Sequence, residues 1–384
     1  MVPNGWEYKK LGLVAELQRG FDLPSAKRIN GSIPIISSGG LSGYHNESKV
    51  KAPGIVTGRY GSIGNVFYVE EDFWPLNTSL WVKNFHNNEP KYIYYLLTNF
   101  DFKKFSDKTG VPGVNRNDLH TVKVGVPPLQ EQCKIAKILS TWDKAIATTE
   151  KLIDASKQQK KTLMQQLLTG KKRLIDPETG KAFEGDWKEV KVSALITKHS
   201  EKTVENKQYP VLTSSRKGIF FQSDYYNDRN VASEDTTGYN VVPRDYFTYR
   251  HMSDDLVFKF NRNTICDRGI VSTLYPVFSA KEEVVVPYLL QAILNEGSAF
   301  KRFSLSQKQG GSRTYMYLSK LNELTIQIPS INEQQKIASV LTAADKDIEL
   351  LEAKLAHLKQ EKKALMQQLL TGKRRVKVAE TEAA

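Results

Sequence analysis

Pro128-Leu-Gln-Glu-Gln-Cys-Lys-Ile-Ala-Lys-Ile-Leu139 returns 202 residues later as Ser330-Ile-Asn-Glu-Gln-Gln-Lys-Ile-Ala-Ser-Val-Leu341, and Leu163-Met-Gln-Gln-Leu-Leu-Thr-Gly170 returns as Leu365-Met-Gln-Gln-Leu-Leu-Thr-Gly372. The spacing holds throughout: Glu131 and Glu333, Asp143 and Asp345, Met164 and Met366 all stand 202 positions apart. About 45 residues of helical pattern are thus duplicated without insertion, which makes the chain two similar modules related by approximate symmetry. In the second copy Ile348, Leu351, Leu355, Leu358, Leu365 and Leu369 recur in steps of three and four, with Lys362 as the polar member of the register. That is a heptad seam. The same register in the first copy, Ile146, Thr149, Ile153, Ser156, Lys160, Leu163 and Leu167, is apolar only at intervals. One leucine-rich seam and one weaker seam fit an antiparallel pair within one chain better than a homodimeric zipper. Each helix should stop at Thr-Gly, with Lys171-Lys-Arg173 or Lys373-Arg-Arg375 at the negative end of the helix dipole. From Asp143 to Leu168 such a rod would be roughly 39 Å long, at about 1.5 Å per residue, or about 11 base pairs at about 3.4 Å each.

Upstream of each helical copy lies a mixed segment opened by a tryptophan, Trp6 or Trp187. Short β-branched and aromatic runs such as Ile33-Pro-Ile-Ile36, Gly54-Ile-Val-Thr57 and Asn65-Val-Phe-Tyr-Val69 in the first, and Tyr246-Phe-Thr-Tyr249 and Gly269-Ile-Val-Ser272 in the second, are broken by Gly, Pro, Asn and Asp. They read as strands, with helices near Tyr92 to Thr98 and Tyr288 to Leu294. The expected class is α/β (α+β): two mixed domains separated by two long helices packed as an antiparallel coiled coil, with a pseudo-two-fold internal repeat. The expected division is 1–127, a first mixed domain; 128–173, a central helical spacer; 174–186, a linker; 187–329, a second mixed domain; 330–375, a distal helical spacer; and 376–384, a flexible tail.

The mixed domains match more loosely. Ile33-Pro-Ile-Ile-Ser-Ser38 aligns with Tyr209-Pro-Val-Leu-Thr-Ser214, Ile55 to Arg59 with Tyr246 to Arg250, and Lys108-Thr-Gly110 with Lys308-Gln-Gly310, at offsets of 176, 191 and 200. The drift places insertions in loops, so a shared scaffold carries two different readers.

Composition narrows the partner. The chain has 384 residues, 40% hydrophobic content and a formal net charge of +13. That length and hydrophobic content suffice for two or three cores. The basic excess points to a polyanion. Cys133 and Cys266 make no disulfide framework or zinc cluster, and the first stands where the other copy has Gln335, so they are expected to be buried or incidental thiols. The sequence from Met1 to Gly12 lacks the apolar core of a signal peptide and no run approaches 20 apolar residues, so the expected location is cytoplasmic, with no membrane partner.

No catalytic constellation emerges. Val126-Pro-Pro-Leu129 lacks the amide and the aromatic residue of the Asn/Asp-Pro-Pro-aromatic motif of adenine methyltransferases and reads as a rigid lead-in to a helix. Thr169-Gly-Lys-Lys172 and Thr371-Gly-Lys-Arg374 lack the upstream glycine of a phosphate loop and follow helices where a strand is required. Gly58-Arg-Tyr-Gly-Ser-Ile-Gly64 has neither the glycine order nor the βαβ context of a dinucleotide site and reads as a tight strand connection. His45, His86, His120, His199, His251 and His357 show no metal-ligand spacing.

Mixed domain, Pro-x-x-x-Glu-Gln helix and Leu-Met-Gln-Gln-Leu-Leu-Thr-Gly, all given twice, resemble the specificity (S) subunit of a Type I restriction-modification system over essentially the whole chain. The resemblance implies that each mixed segment is a target recognition domain reading one half of a split sequence in double-stranded DNA. It implies that the helical repeats set the gap and dock two modification (methyltransferase) subunits, and that restriction (endonuclease/translocase) subunits join a larger complex. S-adenosylmethionine, ATP and Mg would belong to those partners and none to this chain.

DNA contacts would come from side chains that bind phosphate or read base edges. Arg59 and Arg250, ending matched strands, are the first candidates; the bland reading of either is a surface salt bridge. Lys108 and Lys308 in matched turns are candidate phosphate contacts. The unmatched loops add Tyr44, Tyr60, Asn115, Arg116 and Asn117 in the first domain, and Ser215, Arg216, Lys217, Asn261, Arg262, Asn263 and Arg313 in the second. A stand-alone DNA-binding regulator would share the charge and the duplication without needing the long capped helices, and a scaffold would leave the Arg- and Asn-rich loops without a use. Different loops imply different half-sites. Selection from random duplexes should therefore return a split, asymmetric motif, and a palindrome or one contiguous short motif would sink that expectation.

Overall fold

A computed structural model describes residues 3–106, 113–227, 231–308 and 313–377. The chain forms two compact units, one of residues up to Leu152 together with those from Leu351 onward, the other of Ile153–Leu350. Compactness thus cuts through both long helices, where the sequence division placed each helical spacer whole.

The core of the first unit is an antiparallel sheet in the order Glu16–Arg19, Ser79–Asn84, Gly54–Gly58, Val66–Val69. Successive side chains on a strand point to opposite faces. Ile55, Leu80 and Val82 accordingly pack against Tyr92, Ile93 and Leu96 of the Pro90–Thr98 helix. On the other face Val56 and Trp81 join Phe73 and Ile36. Gly54 permits this second cluster, because a Cβ there would stand 2.1 Å from Phe73 Cε1. Glu7–Lys10 pairs with Lys123–Val126, which brings the start and end of the mixed segment together beneath the first long helix.

The second unit repeats the order with Ile196–His199, Val277–Ala280, Phe247–Thr248 and Asn261–Arg262. Its Lys188–Lys191 strand pairs with Thr325–Ile328, and its Pro287–Glu296 helix takes the place of Pro90–Thr98. Proline in the first turn suits both helices, since its missing N–H is one that would be unpaired anyway.

The long helices run over Leu129–Leu167, 39 residues, and Ile331–Leu370, 40 residues. Each is about 60 Å long at about 1.5 Å per residue; the first begins directly after Pro127 and Pro128, the rigid lead-in expected from the sequence, and the rod from Asp143 to Leu168 is its later part. The seam positions are the sheltered ones on both helices, from Ile348 to Leu369 and from Ile146 to Leu167. Within the first unit Asp143 pairs with Lys362 and Glu150 with Lys359, so the two segments run antiparallel. Within the second, Lys160 pairs with Asp345. The lysine in each register therefore meets a carboxylate of the other copy, and Tyr95 and Tyr288 donate to the same two carboxylates. Burial, and then those bonds, push both phenols above their ordinary pKa. Polar pairs inside an apolar seam penalise every other register.

Gly170 and Gly372 end the helices at φ of +68° and +70°, in the left-handed region that favours glycine. The arginine beyond each does more than face the helix dipole. Arg375 makes a bidentate pair with Glu131 at 2.7 and 2.8 Å, and Arg173 with Glu333 at 2.6 and 2.7 Å. Both carboxylates are buried, at 2% and 1% exposure. Trp6 Nε1 also donates to Glu131, at 3.1 Å. The adjacent Gln132 and Gln334 accept the backbone N–H of Glu89 and Val286 at 3.0 Å, fastening the start of each short helix to its long one. The duplicated Glu-Gln is thus a joint.

Removing one partner of a buried pair leaves an uncompensated charge, at about 3 to 5 kcal/mol. Arg173→Ala should cost about 3 kcal/mol in chemical denaturation of the second unit. Arg375→Ala should cost less in the first, because its side chain is 41% exposed against 24% for Arg173.

Candidate nucleic-acid interface

In the first unit a groove of about 780 Å³ is lined by Gln18, Arg19, Asp22, Arg59, Tyr60, Asn115 and Arg116 among others. The Gly54–Gly58 strand delivers Arg59, whose N–H donates to Thr78 O at 3.0 Å while its guanidinium lies 4.6 Å from the Tyr60 ring centre. Gly58 lets the chain fold back, since a Cβ there would meet Ser62 O at 2.1 Å. Gly58 to Gly64 is accordingly a tight connection between two strands of the main sheet. Val114 N–H donates to Arg59 O at 3.0 Å, and Asn115 caps the Arg116–Thr121 helix by accepting from Asn117 N–H at 3.0 Å. Those bonds hold Arg116 exposed at the groove edge. Arg19 joins it from the neighbouring end of the sheet, 3.3 Å from Asp22. Three arginines face one aspartate in this lining, so the groove is electropositive.

The second unit has a groove of about 380 Å³ lined by Ser215, Arg216, Lys217, Tyr225, Tyr226, Arg250, Lys259 and Tyr275 among others. The hairpin Leu212–Ser215 with Gly218–Phe221 forms one wall. Ser215 sets its turn, donating to Gly218 O at 3.1 Å and accepting from Lys217 N–H at 3.1 Å. Arg216 at the tip is bidentate to Asp255, at 2.8 and 2.6 Å. Hydrogen bonds from Arg216 and then Ser253 hold the Asp255 carboxyl down at about 2, so it stays ionised at neutral pH. Lys259 pairs with Glu296 at 3.3 Å. Arg59 and Arg250, the matched pair, each line the groove of their own unit, and neither has a carboxylate within ion-pair distance among the described residues.

Several sequence-predicted positions fall elsewhere. Asn261 and Asn263, expected in an exposed loop, are buried. Asn261 Nδ2 donates to Ser214 Oγ and Ser215 O at 2.8 Å, bracing the hairpin, and Asn263 Nδ2 donates to Val242 O at 2.8 Å. Arg262, with a 21% exposed side chain, lies on a strand 3.5 Å from Asp245. Arg313 is held by Asp254 at 3.0 Å, and Lys308 is exposed outside the groove lining. Tyr44 is exposed on the Gly40–His45 strand, also away from the lining. Lys108 lies outside the described residues. Cys133 is exposed and Cys266 half-buried. Arg19, Lys259, Tyr225 and Tyr226 also line the two grooves and are not among the residues singled out from the sequence. Arg19 carried one signal, an Arg at a strand end beside a glycine, as in Gly58-Arg59, but only the sheet order brings the two together. No group of three or more His, Cys, Asp or Glu able to hold a metal occurs among the described residues.

Comparison with known proteins decides the family. The family described as Type I restriction modification DNA specificity domain matches residues 3–158 and 184–360, most of the chain and once in each half. The chain belongs to this family. It is a Type I specificity subunit with two target recognition domains, and such subunits are not themselves catalytic. Among curated relatives, the Type I restriction enzyme MjaVIII specificity subunit of Methanocaldococcus jannaschii is 28% identical over 320 residues, 74% of this chain and 70% of that one. The putative MjaX specificity subunit of the same organism is 28% identical over 328 residues, 79% of this chain and 72% of that one. Among solved structures, the S subunit of a Type-I restriction-modification system from M. genitalium aligns with a TM-score of 0.59 at 15% identity, over 95% of this chain and 96% of that one. A chain from a study of complex assembly and conformational transition of the type I R-M system aligns at 0.54 and 13%, over 96% and 98%. At those identities the likeness speaks to the fold.

In this specificity subunit, Arg59→Ala and Arg250→Ala should each weaken binding to duplex DNA. A lost phosphate contact would shrink the salt slope by about 0.9 and leave sequence preference alone. A lost guanine contact would remove about 1–3 kcal/mol of discrimination in one half of the site. Titration at several salt concentrations separates the two, and unchanged binding in both variants would remove the grooves as the interface.

Proposed function

We propose that the first groove reads one half of a split DNA sequence and the second groove reads the other, with the long helices fixing the gap between them. The observation that carries this reading is the combination of one scaffold with two different linings. Strand order, helix joints and the strand-end arginine are shared, whereas Asn115 and Arg116 beside the first groove stand where the repeat spacing puts Tyr317 and Leu318. A shared frame with unlike contact residues reads an asymmetric target. The reading residues we assign are Arg59, Tyr60, Asn115, Arg116 and Arg19 in residues 1–127, and Arg250, Arg216, Lys217 and Lys259 in residues 187–329. Asn117, Ser215 and Asn261 support the reading side chains from behind.

Readout follows from donor geometry. An arginine offers paired N–H groups that match O6 and N7 of guanine, and asparagine offers a donor and an acceptor for adenine. Arg and Lys at the groove edges hold phosphates and fix the register without reading sequence. The exposed faces of the helical repeats, residues 128–173 and 330–375, would dock two modification subunits that carry S-adenosylmethionine and methylate adenine. Restriction subunits using ATP and Mg would complete the larger assembly. The whole would act on cellular DNA in the cytoplasm; no helix among the described residues is long and apolar enough to cross a membrane. The stand-alone regulator is the lesser reading, because it leaves the paired joints of the long helices without a purpose.

Co-expression with a modification subunit, followed by single-molecule sequencing of methylated adenines, should reveal a split asymmetric motif. Exchanging residues 1–127 for those of another specificity subunit should change one half only. Inserting seven helical residues after Leu152 and again after Leu350 should widen the gap by about 10 Å, or about three base pairs. DNA binding without any methylation would favour the regulator.

A further inference from the structure

The two readers share one hairpin turn and differ at its tip. In the first, Ser37 donates to Gly40 O at 3.0 Å and accepts from Gly39 N–H at 3.2 Å. In the second, Ser215 makes the same two bonds to Gly218 and Lys217 at 3.1 Å. The tip is Ser38-Gly39 in one and Arg216-Lys217 in the other. An acid faces the tip where the arginine is present: Asp255 takes Arg216 bidentately, while the first reader's corresponding turn, Gly61-Ser-Ile-Gly64, contains no acidic residue.

Stability does not account for this pair. Its side chains are 60% and 51% exposed, and exposed ion pairs contribute little to folding. Yet Asp255 is itself fixed with care. It accepts from Ser253 Oγ at 2.9 Å and Val257 N–H at 3.2 Å, and Ser253 is buried on a short strand paired with Thr314–Tyr315. The turn between them places Leu256 at φ +64°, a costly conformation for a residue with a side chain.

From this arrangement, and resting on the two-reader function proposed above, we infer that Asp255 is a positioning residue that makes Arg216 a base reader in the second half of the site. Two consequences of the carboxylate combine. The bidentate bond restricts a long, exposed side chain to one orientation, leaving three of the five guanidinium N–H groups to donate outward. The same carboxylate cancels the arginine's net charge, so Arg216 gains little from a phosphate and keeps its directional hydrogen bonds for a base edge. The adjacent Asp254 accepts a single hydrogen bond, from Arg313 Nε–H at 3.0 Å.

The test uses the full chain and randomised duplex DNA, with bound sequences read out for wild type, Arg216→Ala, Asp255→Asn and Ser253→Ala, and with binding to a fixed non-cognate duplex followed against salt. Arg216→Ala should flatten preference at one position of the second half-site. Asp255→Asn should flatten the same position about tenfold, in line with the discrimination expected of a bidentate base contact. It should also raise non-cognate affinity and steepen its salt dependence by about one counterion. Ser253→Ala, which loosens Asp255 without removing its charge, should flatten that position and leave the salt slope unchanged. Preference at the other positions of the second half-site is the control for folding. If Asp255→Asn tightens all DNA equally and keeps the motif, the acid only screens charge and the inference fails. If Arg216→Ala leaves the second half-site untouched, Arg216 is not a reader and the inference fails with it, whereas the proposed function fails only if no split motif is selected at all.

Discussion

A carboxylate buried on each long helix governs the architecture. Glu131 and Glu333 sit in the first turn of their helices at almost no exposure, and each is neutralised by an arginine from beyond the end of the other helical copy. A buried charge cannot be left unpaired, so the chain is compelled to bring the end of one repeat to the beginning of the other. The neighbouring glutamine then fixes the mixed domain to the same place by capturing a backbone N–H at the start of its short helix. The end of one helical copy and the start of a short helix are thus held at the same two residues.

Rigidity near the joints contrasts with latitude near the grooves. Both main sheets keep one strand order, and in both the arginine just beyond the third strand in that order lines the groove. Around it the segments change length and content, so contacts can differ without disturbing the core. Recognition surfaces carried on connections above a fixed sheet can vary in this way because little of the core is built from them.

The helices and their seam were legible because periodicity is a local signal, whereas the partner of Lys362, the polar member of the register, lies 219 residues away at Asp143 and left no local mark. The matched strands and Arg59 with Arg250 were legible because duplication compares the chain with itself. Asn261 and Asn263 were misread because Asn-Arg-Asn looks like a polar loop, whereas one of these amides braces a hairpin 46 residues away and the other a strand. A side chain spent on distant backbone leaves no mark on its own neighbourhood. Arg19 was missed for the opposite reason, since only pairing through the Ser79–Asn84 strand sets it beside Arg59.

The compact unit of Ile153–Leu350 is one continuous stretch, whereas the other is assembled from the two outer stretches of the chain. During synthesis the inner unit can therefore be complete while its neighbour still lacks Met366, Leu369 and Arg375. The unit whose first residues are made earliest is also the one whose last residues are made latest. Until Arg375 has left the ribosome, Glu131 lacks its arginine, so the first unit waits for residues made after every part of the inner unit.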